Sequence, residues 1–288
     1  MTDDPALLIH APLGQPGSGR VRYGAAMQLW QQGQISAEVL EAYRTSSPHD
    51  GRDPLAVLQA QGLPAPVLPP VTDDPVHRLY IAARDYLLTL DHPGAAEVRA
   101  GLPPNPGPLH PAPPRSNAVM DRWLMPALAA LQGQPLLANA IGRAAPMLDW
   151  VTYDAYPRAE IGEGFATGHA FASILGDGPP FAACDFDMGL FLIAPHVLYR
   201  DHHHPAPELY APLTGPHGWR FGPGRPLMVL PAHQPIWNPP HRPHLTKIGA
   251  QPFLSFFVWT KDTQHPAQVI PADDWPLLES TPLANDAT

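Results

Sequence analysis

The chain has 288 residues, 44% of them hydrophobic, and 26 acidic against 17 basic side chains give a formal charge of −9. That apolar share excludes a disordered chain, and the lack of any basic run argues against nucleic acid or an anionic membrane surface as partner. Cys184 is the only cysteine, which excludes an internal disulfide framework and fits a reducing compartment.

The start, Met-Thr-Asp-Asp-Pro, has no basic region followed by an apolar one, and no run of about 18 apolar residues occurs. A cytoplasmic, non-membrane protein is expected. Residues 1–20, polar and rich in Gly and Pro, read as a loose arm. Met27, Leu29 and Trp30 carry the first helical pattern, ending at Gly33. Ser36 is an N-cap for Val39, Leu40 and Tyr43, and Asp53-Pro54 opens a short helix over Leu55 to Leu58. A breaker-rich linker, Pro64 to Pro70, precedes a second Asp-Pro start at Asp74-Pro75. The helix it opens, about Val76 to Leu90, places Leu79, Ala83, Tyr86 and Leu90 on one face.

Gly101 to Pro114 is proline-rich and extended. Ser116 is the expected cap of the next helix, which carries Val119, Trp123, Leu124 and Leu128, with Pro126 expected to kink or shorten it. Another helical stretch runs from Leu136 towards Trp150. These helices carry no chemical motif and read as a layer that packs on the C-terminal half of the chain.

From Phe181 the pattern changes. Met188 to Ala194, Val197 to Asp201, Glu208 to Leu213, Gly218 to Phe221, Leu227 to Leu230 and Phe253 to Trp259 are short apolar segments separated by Pro, Gly, Asn and His. Strands at about ten-residue spacing point to a sandwich or barrel. The expected division is therefore α+β: a helical region over 1–180, a β-barrel over 181–270 and a tail over 271–288 that lies on the barrel or frays.

Chemistry concentrates between Tyr199 and Gly215. Residues two apart on a strand share a face, so His202 and His204 point the same way, and Pro205 and Pro207 then break the strand. Glu208 and Tyr210, also two apart, can face the same cavity from the next strand. Two imidazoles and a carboxylate suit zinc, iron, nickel or manganese, with a phenol oxygen as a less common further ligand. Cys184 has no partner for nucleophilic work and reads as a small filler.

His202, His204, Glu208 and Gly215 stand in the spacing of the first motif of the cupin superfamily, with His196 where a glycine usually stands. Pro239-Pro240-His241-Arg242-Pro243-His244 resembles the second motif, with His241 in place of its glycine and Ile248 where asparagine is common. The flanks, Gly189 to Pro195, Tyr199, Tyr210 and the run from His244 through Phe253 to Trp259, resemble the cupin dimethylsulfoniopropionate (DMSP) lyases and their relatives. That resemblance covers about Gly189 to Asp262 and implies a jelly-roll barrel behind a helical region.

It also implies a metal held by His202 or His204, with His204 the surer ligand, together with Glu208, Tyr210 and His244. Tyr210 would double as catalytic base, assisted or oriented by Tyr199. Trp259, Trp237 and Trp219 are expected to face the sulfonium, since aromatic faces hold such cations, and His241 to line the pocket. Proline usually follows the tyrosine at position 199; here Arg200 does, which is expected to reshape the pocket mouth. The implied activity is a carbon–sulfur lyase acting on a small carboxylate bearing a sulfonium, with a divalent cofactor, zinc or iron before manganese or nickel. Oligomeric state is left open, a homodimer being one option. The alternatives are a cupin dioxygenase or isomerase, and a cupin that binds a small ligand without turnover.

Overall fold

The computed structural model describes residues 5–63, 65, 74–111, 115–131, 133–154, 157–178 and 180–283. Most of the Pro64–Pro70 linker therefore lies outside the described residues. The chain divides into two compact units, Met1–Asp73 and Asp74–Thr288.

The first unit contains α1 (Pro5–Leu8), α2 (Ser18–Gln31), α3 (Ala37–Ser46) and α4 (Pro54–Ala60). Two of these helices fall at least partly inside the arm expected over 1–20. They are held by a polar knot that a hydrophobic pattern does not reveal. Buried Arg22 donates to the Ala11 carbonyl at 2.8 Å and the Asp50 carbonyl at 2.7 Å, and the Asp50 carboxylate accepts from the Gly17 and Gly19 amides. Ser36 and Asp53 cap α3 and α4 as expected, through the amides of Val39 and Leu55. Ala26, Leu29, Ala42, Tyr43 and Leu58 form this unit's own core.

The second unit begins with α5 (Pro75–Leu87), capped by Asp74, then α6 (Ala95–Gly101), α7 (Ala118–Ala130) and α8 (Pro135–Ala144). Asn117, not Ser116, caps α7, accepting from the Val119 and Met120 amides. α7 also continues through Pro126. Pro126 lies on the exposed side of the helix, where its ring meets no packed neighbour layer. Two short helices, α9 (Arg158–Ile161) and α10 (Glu163–Gly168), lead into the strands.

Eleven strands are described: β1 (His169–Gly176), β2 (Phe181–Ala182), β3 (Asp187–Ile193), β4 (Leu198–His203), β5 (Glu208–Pro212), β6 (His217–Arg220), β7 (Met228–Leu230), β8 (Ile236–Asn238), β9 (His244–Ile248), β10 (Phe253–Trp259) and β11 (Gln268–Val269). They form a six-stranded sheet, β2-β1-β3-β10-β5-β8, and a five-stranded sheet, β11-β4-β9-β6-β7. Among the described residues, β1 and β2 are the one pair that runs parallel. This is an α+β protein with a cupin barrel. β1 lies ahead of residue 181, the expected start of the barrel; its His-Ala-Phe-Ala-Ser opening alternates small residues too weakly to announce a strand.

Alternation along the larger sheet divides its residues cleanly. Ala170, Ala172 and Ile174, Met188, Leu190 and Leu192, Leu209 and Ala211, and Leu254, Phe256 and Val258 pack with Leu79, Tyr80, Ala83, Ala127 and Ile141 from the helices. The opposite parity, including Phe171, Phe191, Tyr210, Phe253 and Phe257, faces the barrel interior with Tyr199, Trp219 and Ile248. Burying one of these large side chains stabilises by about 1.5–3 kcal/mol, so the helical layer anchors the sheet on one face and leaves the other to chemistry. Past β11, α11 (Trp275–Ser280) comes next, and Leu283 is buried, so the described part of the tail is docked on the second unit.

Candidate metal centre

β4 and β9 are antiparallel neighbours in which His202 pairs with His244. His204 stands just past β4, where Pro205 ends the strand, and its carbonyl accepts the His241 amide at 2.8 Å. The ligand atoms of His202, His204 and His244 all lie within 4.8 Å of one another, and all three residues are buried. Each Nδ1 is bound to a backbone carbonyl: His202 to Arg200 at 2.8 Å, His204 to Ala206 at 2.8 Å and His244 to Arg242 at 2.9 Å. A carbonyl can only accept, so each Nδ1 carries the hydrogen. In the neutral ring Nε2 then carries the lone pair, the usual orientation of a metal-ligating histidine.

Glu208, the first residue of β5, sends Oε2 to the same point, 3.1 Å from His204 Nε2 and 3.4 Å from His244 Nε2. The latter contact lies outside hydrogen-bond geometry, and His244 Nε2 is buried without a hydrogen-bond partner among the described residues. Burial, the largest influence on Glu208, would raise its pKa; His204 and His244 outweigh it and hold the carboxyl below the usual range. Burial, then the neighbouring imidazoles, pushes His202 well down, so it stays neutral. With the three rings neutral, lone pairs on three nitrogens and one carboxylate oxygen converge in a buried site, an arrangement that a bound cation satisfies. The donor set fits a divalent metal.

The sequence-predicted residues do not all fall where expected. Strict alternation would put Tyr199 on the opposite face from His202. A register shift between them brings both inward, and the Tyr199 ring stacks on His202 at 3.8 Å and on Phe165 at 3.9 Å. Tyr210 shares Glu208's face, its ring 6.2 Å from that of His244 and 5.1 Å from that of Trp219. Trp259 is at the centre rather than opposite it: Nε1 donates to Glu208 Oε1 at 2.7 Å, and the indole stacks on His204 at 4.5 Å. That bond occupies Oε1 and leaves Oε2 as the carboxylate oxygen turned to the histidines.

Two tryptophans are displaced from the expected role. Trp237 has the parity of Leu209, with which it pairs, and packs on the helical side against His92 at 5.6 Å. Trp219 is wholly buried, with Nε1 donating to His217 Nδ1 at 2.6 Å. His241 is exposed, its ring 5.7 Å from that of His203, and touches the site only through its backbone. Arg200 points away from the interior, to Glu279 and to the Ala159 and Glu160 carbonyls.

Sequence reasoning missed Asn238, wholly buried on β8 opposite Glu208, with Nδ2 3.5 Å from Oε2. A buried-looking Ile-Trp-Asn triplet just ahead of Pro239 was its only signal. It also missed Phe171, Phe191 and Phe257, which line the interior near Tyr210 and whose pattern does not distinguish them from strand filler.

Comparison with known proteins decides the family. The pattern of the dimethylsulfoniopropionate lyase family matches residues 109–255, just over half of the chain. The chain belongs to the DMSP lyase family. It is 27% identical over 109 residues to dimethylsulfoniopropionate lyase DddQ of Ruegeria pomeroyi. The match spans 38% of this chain and about half, 54%, of that relative's length. Among solved structures, one of the DMSP lyases RdDddP and RnDddQII is matched with a TM-score of 0.58 at 22% identity, over 68% of this chain and 98% of that one. DMSP lyase DddQ from Ruegeria pomeroyi DSS-3 is matched with a TM-score of 0.50 at 23% identity, over 68% and 96%. At these identities the structures bear on the fold.

Proposed function

We propose that this protein is a metal-dependent carbon–sulfur lyase that cleaves dimethylsulfoniopropionate, or a close β-substituted carboxylate, by β-elimination. The observation that carries the reading is the convergence of His202, His204 and His244 Nε2 with Glu208 Oε2 inside an aromatic-lined barrel, in a chain of the DMSP lyase family. His202, His204, Glu208 and His244 would hold the ion, with Tyr210 at its edge.

A divalent ion bound there would neutralise the substrate carboxylate, stabilise enolate-like charge at the α-carbon and favour the phenolate of Tyr210. Tyr210 takes the α-proton on its phenol oxygen. The electron pair of that C–H bond forms the new double bond, the Cβ–S bond breaks, and sulfur leaves with its bonding pair as neutral dimethyl sulfide, giving acrylate. The sulfide therefore needs no acid. Tyr199, held between Phe165 and His202, orients the substrate side. Phe171, Phe191 and Phe257, with the Tyr210 ring, supply aromatic faces for the sulfonium in place of the tryptophans.

Protein loaded with zinc, iron, manganese or nickel and given DMSP should release dimethyl sulfide into the headspace, measured by gas chromatography. Tyr210→Phe should lower the rate by at least about 10²-fold, the usual worth of a positioned base, while metal-loaded protein stays folded. No release with any of the four metals would refute the substrate; full activity of Tyr210→Phe would refute the base.

A further inference from the structure

The strand that carries His202 is held from outside the barrel. Tyr199 pairs with Thr246 and His202 with His244, so β4 sets two residues, Arg200 and Asp201, against the single Leu245 of β9. Such a bulge re-aims side chains beside active sites. Here Tyr199 and His202 both turn inward, while Arg200 and Asp201 both turn to the outer face. The Arg200 carbonyl is also the group that holds His202 Nδ1.

The C-terminal segment grips both bulge residues. Gln268 and Val269 pair with His203 and His202, and the Ile270 amide donates to the Asp201 carbonyl at 2.7 Å. Trp275 Nε1 donates to Asp201 Oδ2 at 2.8 Å, and the Arg200 guanidinium lies 4.6 Å over the Trp275 ring while Nε reaches Glu279 Oε1 at 2.9 Å. Arg220, on β6, joins the two sides: Nε donates to Asp201 Oδ1 at 3.0 Å, and a terminal nitrogen donates to Asp274 Oδ1 at 3.0 Å. Arg220 and Asp201 are both buried, at 1% and 0% exposure, so their pairing is fully desolvated and geometrically demanding.

We propose that the segment Gln268–Ser280 is a clamp that fixes the Arg200–Asp201 bulge and so aims His202 at the metal. Asp201, Arg220, Asp274 and Trp275 are positioning residues acting through β4, and Arg200 is the link between clamp and ligand. The proposal rests on the metal-centre reading. It differs from a plain stabilising role because it predicts a change at the ligands, not only in unfolding.

The test titrates full-length protein with zinc, by competition with a chromophoric chelator, and with cobalt(II), by its visible ligand-field bands. Trp275→Phe keeps the ring under Arg200 and removes only the donor to Asp201; Asp274→Asn weakens the Arg220 bridge. Leu283→Ala is the control, since Leu283 is buried just past the clamp, beside Gly218, and its apolar side chain can make none of the hydrogen bonds or ion pairs that reach Arg200 and Asp201. Both clamp variants should bind zinc about 10-fold more weakly, in the range for groups that orient ligands, with altered cobalt bands. Leu283→Ala should keep affinity within about twofold. Wild-type affinity and spectrum in both clamp variants, or an equal loss in Leu283→Ala, would overturn the clamp. If the wild-type protein bound neither ion, the metal-centre reading itself would fail, a result distinct from unchanged variants.

Discussion

His169 makes stability acid-sensitive in a way that can be worked from its contacts. Its Nδ1 faces the Phe165 carbonyl at 2.5 Å and must donate; its Nε2 accepts the Tyr153 amide at 3.0 Å. The ring is wholly buried and stacked on Phe165 at 3.9 Å. Protonating Nε2 would set one N–H against another. Burial, opposed by the Phe165 carbonyl, pushes the pKa from 6.5 down to about 4. A base with a lowered folded-state pKa contributes stability in full above its unfolded pKa. That contribution is lost as pH falls from about 6.5 towards 4, and the gap corresponds to about 3 kcal/mol in all and about 2 kcal/mol by pH 5. Urea unfolding of wild type and His169→Gln at pH 7.5 and pH 5.0 isolates this contribution. His202 and His217, also pushed down by burial, act in both proteins and cancel. The acid-induced drop should be smaller in the variant by about 2 kcal/mol. Equal drops in the two proteins would refute the argument.

Two further predictions concern the site and its sheet. Trp259→Phe removes the donor that fixes Glu208 Oε1 and should weaken zinc binding about 10-fold in chelator competition, with little change in fold by circular dichroism. Asp187 is raised to about 6, by burial first, and its Oδ1 has no hydrogen-bond partner among the described residues. A raised carboxyl costs stability as pH climbs from 3.8 through 6, so Asp187→Asn should stabilise by about 3 kcal/mol at pH 7.5 and by nothing at pH 3.5, read from urea midpoints.

The candidate ligands could be proposed from spacing alone: His202, His204 and Glu208 lie close in sequence, His244 closes a second motif, and the three histidines converge in the structure. The caps at Ser36, Asp53 and Asp74 were legible for the same local reason. What failed was non-local. Asn117 took the cap from Ser116 by one residue, a choice sequence alone could not make. Pro126 stayed inside α7 on its exposed side, and exposure is a tertiary fact. Trp237 looked like a pocket aromatic until pairing with Leu209 fixed its parity. Tyr199 reached the interior only through a bulge, which period-2 alternation cannot foresee.

Parity also explains why a helical layer accompanies this site. β5 holds Leu209 and Ala211 in the helix-facing core and Glu208 and Tyr210 on the other face, so one five-residue strand serves both. A one-residue slip of β5 would exchange the two sets, burying a carboxylate among leucines and emptying the centre. The apolar contacts of Leu209 and Ala211 with the helix-backed core, and their neighbours Phe256 and Val258 on β10, make that slip costly. β4 offers only Leu198 as an apolar side chain of outer-face parity. It presents Arg200 and Asp201 there, and a salt-linked C-terminal segment, not a helical layer, fixes its register. The two sheets thus hold their shares of the candidate metal ligands by different physics: Glu208 by hydrophobic burial behind it, His202 by buried charge and hydrogen bonds. High salt, which screens the exposed Arg200–Glu279 pair but not apolar packing, bears on the second and spares the first.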